Sequence, residues 1–172
     1  YGLASANVAV AVAAFGVAAL LGALQALSVA NVEFPLRSES LYYISVTAHG
    51  VLMALVFTTF FIMGLGYAFL EASLGRTAGR RTAWFGFWLA VVGTLMTAQT
   101  ILRGQSTVLY TFYPPLQAHP AFYIGATLLI VGSWIWGGVF VATYRSWRRD
   151  HPGRRPGGGG RVFLKVVDRG VA

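Results

Sequence analysis

The run from Leu41 to Leu70, LYYISVTAHGVLMALVFTTFFIMGLGYAFL, contains no Asp, Glu, Lys or Arg. It is long enough to cross a bilayer with some tilt, since about 20 apolar helical residues span the hydrocarbon core. Lipid offers the backbone no hydrogen bonds, so a run of this kind satisfies its own amides by folding as a helix. One ionisable group interrupts it. His49, flanked by Thr47, Ala48 and Gly50, must find a partner, because an orphan polar group at membrane depth is costly.

Three more apolar runs follow the same rule. The first charged residue is Glu33, so a first span covers about 3–30. It is too long for a signal peptide and has no basic segment before it. Ala14, Ala18, Gly22 and Ala26 recur along it every four residues, a small-residue stripe that lets a neighbouring helix approach closely. The His49 run gives a second span at about 41–70. A third, 82–102, lies between Arg81 and Arg103, and a fourth, 121–144, closes on RSWRRD. Trp84, Trp88 and Trp147 stand near span ends as interfacial anchors. The expected fold is all-α: a polytopic membrane protein with four transmembrane helices inside residues 1–151. Only 10% of the residues are charged and 56% are hydrophobic, where a soluble domain is about a quarter charged.

The net charge of +8 invites a nucleic-acid reading, which its placement excludes. Eight of the thirteen basic residues follow Tyr144, three lie between Arg76 and Arg81, and the other two loops have one Arg each (Arg37, Arg103). Under the positive-inside rule this puts the N-terminus and the tail in the cytoplasm. The tail, 152–172, is basic and Gly-rich and reads as disordered.

With no Cys in the chain, disulfides, iron–sulfur clusters and thiolate metal sites are excluded. His49, His119 and His151 are the nitrogen ligands available. His119 precedes Pro120 at the mouth of the fourth span and reads as a cap, and His151 in the tail reads as solvated. Neither shares a face with His49, so no dinuclear site can be assembled. No span contains a carboxylate, which argues against a proton relay built on buried acids. Gly157–Gly160 has no strand–helix context and is not a phosphate loop. For His49 three fates stay open on these grounds: a hydrogen bond across helices, a proton relay, or a bond to a metal or haem iron. Ala48, Gly50 and Ala54 leave room for a flat macrocycle, and Phe57, Phe60 and Phe61 supply an apolar wall further in.

Two segments carry a resemblance. TAHGVLMALVFTTFF resembles the second helix of subunit I of the haem–copper oxidases, whose T-x-H-G motif holds a low-spin haem. VLYTFYPPLQAHPAFYIG is similar to the segment between the third and fourth helices of that subunit. Tyr42-Tyr43 and the Leu109-to-His119 run most resemble the B-type cytochrome c oxidases. The resemblance implies that His49 is an axial ligand of the low-spin haem, and that Tyr113, with Pro114, Pro115 and Leu116, lies near the high-spin haem and the oxygen route. It also implies a multi-pass protein of a prokaryotic plasma membrane. Its partners would be the lipid bilayer, the remaining helices of subunit I, other oxidase subunits and a cytochrome c donor. In the complete subunit, electrons pass through the low-spin haem to a haem–copper centre that reduces dioxygen to water with proton translocation.

The family subunit has twelve or more helices, and this chain resembles about the first third. The second low-spin haem ligand, the copper ligands, the high-spin haem ligand and the cross-linked tyrosine belong to later helices. Copper and the high-spin haem are therefore expected only in the full-length subunit, and the isolated chain is expected to be inactive. The Gly-rich tail reads as a truncated or frame-shifted end. Two other readings compete: a non-catalytic four-helix membrane protein, and a small b-type cytochrome with haem held between two copies.

Overall fold

The computed structural model describes residues 2–30, 38–77, 79–109, 112 and 114–153. Four helices carry the chain: α1 (Gly2–Val29), α2 (Glu39–Leu74), α3 (Arg80–Leu102) and α4 (Pro120–Asp150). All four are long and apolar enough to cross a membrane. The 23 residues of α3, the shortest, extend about 35 Å at 1.5 Å per residue, against a hydrocarbon core of about 30 Å. The architecture is all-α and multi-pass. Among the described residues β-pairing is limited to one isolated bridge, Ser106 to Ala118.

Local chemistry sets the ends. Ser38 accepts the Leu41 N–H (3.2 Å) at the start of α2, and Gly75, left-handed at φ 68°, closes its C-terminus. The helix thus continues one turn past Leu70, where the uncharged run ends. At α4, His119 Nδ1 accepts the Ala121 N–H (3.2 Å) ahead of Pro120 in the first turn. This helix passes Tyr144 and continues through RSWRRD to Asp150. Its stop just before Pro152 follows from the disfavoured α conformation of a residue preceding proline.

The four helices pack in an order that leaves α2 central. Its inner half buries Phe60, Met63, Tyr67 and Leu70. Phe60 meets Phe87 of α3 edge-on, with centroids 6.0 Å apart. A Cβ at Gly66 would collide with the Trp136 ring of α4, so that glycine admits the indole. α1 lies on the other side of α2, where Gly64 leaves space for Val8 and the Ala4 carbonyl. The α3–α4 seam is glycine-built. A Cβ at Gly93 would strike the Gly125 carbonyl oxygen, and one at Gly132 would come within 2.7 Å of the Gly86 carbonyl oxygen. Backbones meet directly there, as small residues permit in lipid. Outside this core Leu20, Leu102 and Trp134 are 69%, 86% and 72% exposed, surfaces suited to lipid or further helices rather than water.

Candidate functional site

His49 sits ten residues beyond the start of α2 at Glu39, about 15 Å along the axis. It is half-buried against α1, where its Nδ1 lies 2.8 Å from the Ala18 carbonyl oxygen. A carbonyl only accepts, so the proton is assigned to Nδ1, and in the neutral ring Nε2 keeps its lone pair. The approach is possible because α1 is stripped of side chains at this level. A Cβ at Gly22 would stand 2.9 Å from His49 Cε1 and 3.2 Å from Nδ1. The small-residue stripe of α1 thus has a more local purpose than helix packing along its whole length. Ala14 and Ala18 are buried and Gly22 faces the imidazole, while Ala26 is exposed.

Polar contacts continue toward the start of α2. Gln25 of α1 donates to Ser45 Oγ (3.3 Å), and Ser45 donates to the Tyr42 carbonyl (2.7 Å). Thr47 is fully buried. Its hydroxyl donates to the Tyr43 carbonyl (2.8 Å) and accepts the Leu109 N–H (3.2 Å). The segment between α3 and α4 is therefore fastened to α2 two residues before His49. Leu109 is held there in the left-handed region at φ 61°, which a branched residue adopts only under external constraint. The same segment is anchored on α3, where Ser106 donates to Thr100 Oγ1 (3.0 Å). Tyr113 lies outside the described residues.

Immediately after His49-Gly50, α2 changes winding: Val51–Phe57 is π-helical. A π stretch is rare and accumulates at functional sites. Phe57 and Phe61 stack at 5.4 Å and Phe15 of α1 packs on Phe57 at 5.3 Å. Phe60 turns into the core, so the aromatic wall is Phe15, Phe57 and Phe61 rather than three phenylalanines of one helix.

The other histidines are placed elsewhere. His119 caps α4 and is exposed. His151 stacks on Trp147, with centroids 4.9 Å apart and planes at 14°, and its Nδ1 lies 3.1 Å from the Trp147 carbonyl oxygen. That contact half-buries a ring expected in solvent, because α4 continues six residues beyond Tyr144, to Asp150. Among the described residues no three His, Asp or Glu side chains gather as a metal site. His49 can give a metal one bond through Nε2. Its Nδ1–H on a carbonyl is the arrangement that fixes ring and tautomer in metal-ligating histidines, so the residues present fit a haem iron as one axial ligand. Sequence reasoning found His49 from its isolation in an apolar run. It passed over Ala18 and Gly22 as partners and Thr47 as an anchor, although their spacing was visible, because which faces meet is decided by packing.

Residues 3–156 match the family described as "Cytochrome C and Quinol oxidase polypeptide I". The chain is 35% identical over 144 residues to cytochrome c oxidase subunit 1 of Thermus thermophilus, covering 80% of this chain and 26% of that protein. It is also similar to a chain of a haem–copper terminal oxidase dimer determined by cryo-EM. There the TM-score is 0.78 at 30% identity, covering 90% of this chain and 28% of the other. The chain thus spans about a quarter of the length of these relatives.

Proposed function

Because the chain belongs to the cytochrome c and quinol oxidase polypeptide I family, we propose that it forms the part of an oxidase subunit I in which His49 is an axial ligand of a low-spin haem. One observation carries this: His49 gives its Nδ1–H to the Ala18 carbonyl at 2.8 Å, leaving Nε2 unprotonated. When bound, the haem supplies one-electron transfer. The protein's part is to hold the ring still. Ala18 orients the imidazole and fixes its tautomer, and Gly22 keeps the facing surface open. The Thr47–Leu109 bond fixes the following segment against the same turn of α2.

The remaining ligands of the oxygen-reducing centre would come from other helices of the subunit, so the isolated chain is inactive toward oxygen. In the complete oxidase, copper and a high-spin haem held by those other helices would supply the reduction of dioxygen with electrons from a cytochrome c, in the manner of the B-type branch that the Leu109-to-His119 run resembles. Tyr113 would lie near the high-spin haem. The N-terminus and the tail face the cytoplasm of a prokaryotic plasma membrane, as the basic residues near Arg76–Arg81 and after Tyr144 favour.

A haem titration of the purified chain with free imidazole tests the assignment, since the imidazole can occupy the second axial position. The expected result is a six-coordinate low-spin spectrum that His49→Ala abolishes and His119→Ala leaves intact. Equal spectra for the wild type and His49→Ala would overturn it. A low-spin spectrum without imidazole that grows with protein concentration would favour haem held between two copies.

A further inference from the structure

Haem is a flat amphiphile: one edge carries two propionate carboxylates, and the rest of its rim is apolar. The α1–α2 surface around His49 is divided in the same way. We infer that Gln25, braced by Ser45, takes a propionate carboxylate of the haem and so fixes which edge of the macrocycle points toward the end of α1. The inference rests on His49 as the iron ligand.

Toward the start of α2 the seam with α1 is polar. Gln25 stands about one turn beyond Gly22 on α1, and Ser45 about one turn before His49 on α2. Gln25 Nε2 donates to Ser45 Oγ (3.3 Å), and the Ser45 proton is committed to the Tyr42 carbonyl (2.7 Å). A hydroxyl whose proton is spent can only accept, so the amide nitrogen rather than its oxygen is assigned to Ser45. That nitrogen carries a second N–H. Ser45 is buried and Gln25 only half-buried, so the brace is fixed while the amide keeps a surface on which a ligand can sit. In the opposite direction from His49 the seam is aromatic. Phe57 packs on Phe15 at 5.3 Å and on Phe61 at 5.4 Å, and Phe15 and Phe61 stay 46% and 36% exposed.

Charge narrows the choice of donor. An ionised carboxylate taken out of bulk water must be hydrogen-bonded. α1 has no charged residue, and α2 has only Glu39 and Glu71 besides His49. Neither helix offers a Lys or Arg, so a neutral N–H has to serve. Asn7, the other amide of α1, lies about five turns from Gln25 and is fully buried. The second N–H of Gln25 therefore meets the carboxylate, and the apolar rim of the macrocycle is left to Phe15, Phe57 and Phe61.

Titration of the purified chain in detergent, with free imidazole as the second axial ligand, tests this by comparing protohaem with its dimethyl ester, in which both carboxylates are blocked. Gln25→Leu should weaken protohaem binding about tenfold, the order expected for one lost charge-assisted hydrogen bond, and leave the affinity for the ester unchanged. Gln25→Glu sets a like charge against the propionate and should widen the gap between the two ligands. Binding of the ester by each variant also shows that the variant is folded. Equal losses for protohaem and ester, or no loss for protohaem, overturn the role of Gln25. In that case a low-spin spectrum still abolished by His49→Ala leaves the iron ligand standing. A spectrum indifferent to His49→Ala overturns both.

Discussion

Two seams hold this bundle together by opposite means. Between α3 and α4, glycines at 86, 93, 125 and 132 bring backbone against backbone. Thr97 reinforces the contact by donating to the Gly93 carbonyl (3.0 Å) and, across the seam, to the Phe122 carbonyl (3.4 Å). Between α1 and α2 the small residues make room for polar groups instead: His49 on the Ala18 carbonyl and Gln25 on Ser45. The first seam gains its energy from dispersion over a wide, close surface. The second adds to such packing, as of Val8 on Gly64 and Phe15 on Phe57, a few discrete polar bonds. The same small residues thus serve backbone contact in one helix pair and polar side-chain contact in the other.

The largest way to break the contrast is to fill the glycine seam. Gly93→Leu drives a side chain into the Gly125 backbone and should cost about 3 kcal/mol or more, seen as loss of cooperative thermal unfolding in detergent. Thr47→Val should act next. It leaves the Leu109 N–H without its acceptor at a cost of about 1–2 kcal/mol, and protease cleavage in the segment after Arg103 should rise accordingly. Gly22→Ala sharpens the comparison. The added methyl displaces the imidazole from Ala18 for roughly 1 kcal/mol, so stability changes little while haem titration weakens. Arg76→Gln should be smallest in stability. The pair with Asp150 is 38% and 53% exposed, and such pairs contribute about 1 kcal/mol or less. Raising salt should erase that difference in melting temperature.

Much of this was legible in the residues. Charge-free runs bounded by Arg or Glu gave four helices, and a solitary histidine in one of them gave the candidate site. What stayed hidden was whatever depends on two helices at once. Gly93 and Gly125 read as unremarkable single glycines, and their meaning lies in facing each other. Trp136 lies against Gly66, a match of large and small residues 70 positions apart. The π stretch was hidden for another reason. Val51–Phe57 has no Pro and no Gly to mark it.

That stretch has a consequence for how α2 can vary. An α-helix is a single screw: rotating one end rotates the other, so a histidine and a core phenylalanine on it are geared together. A wider-wound segment between them acts as a slipped tooth. The turn bearing Thr47 and His49 keeps its phase relative to the Ala18–Gly22 stretch of α1, while the turns bearing Phe60, Gly64 and Gly66 keep theirs relative to Phe87, Val8 and Trp136. Each half can be tuned to its own contacts without turning the other out of place.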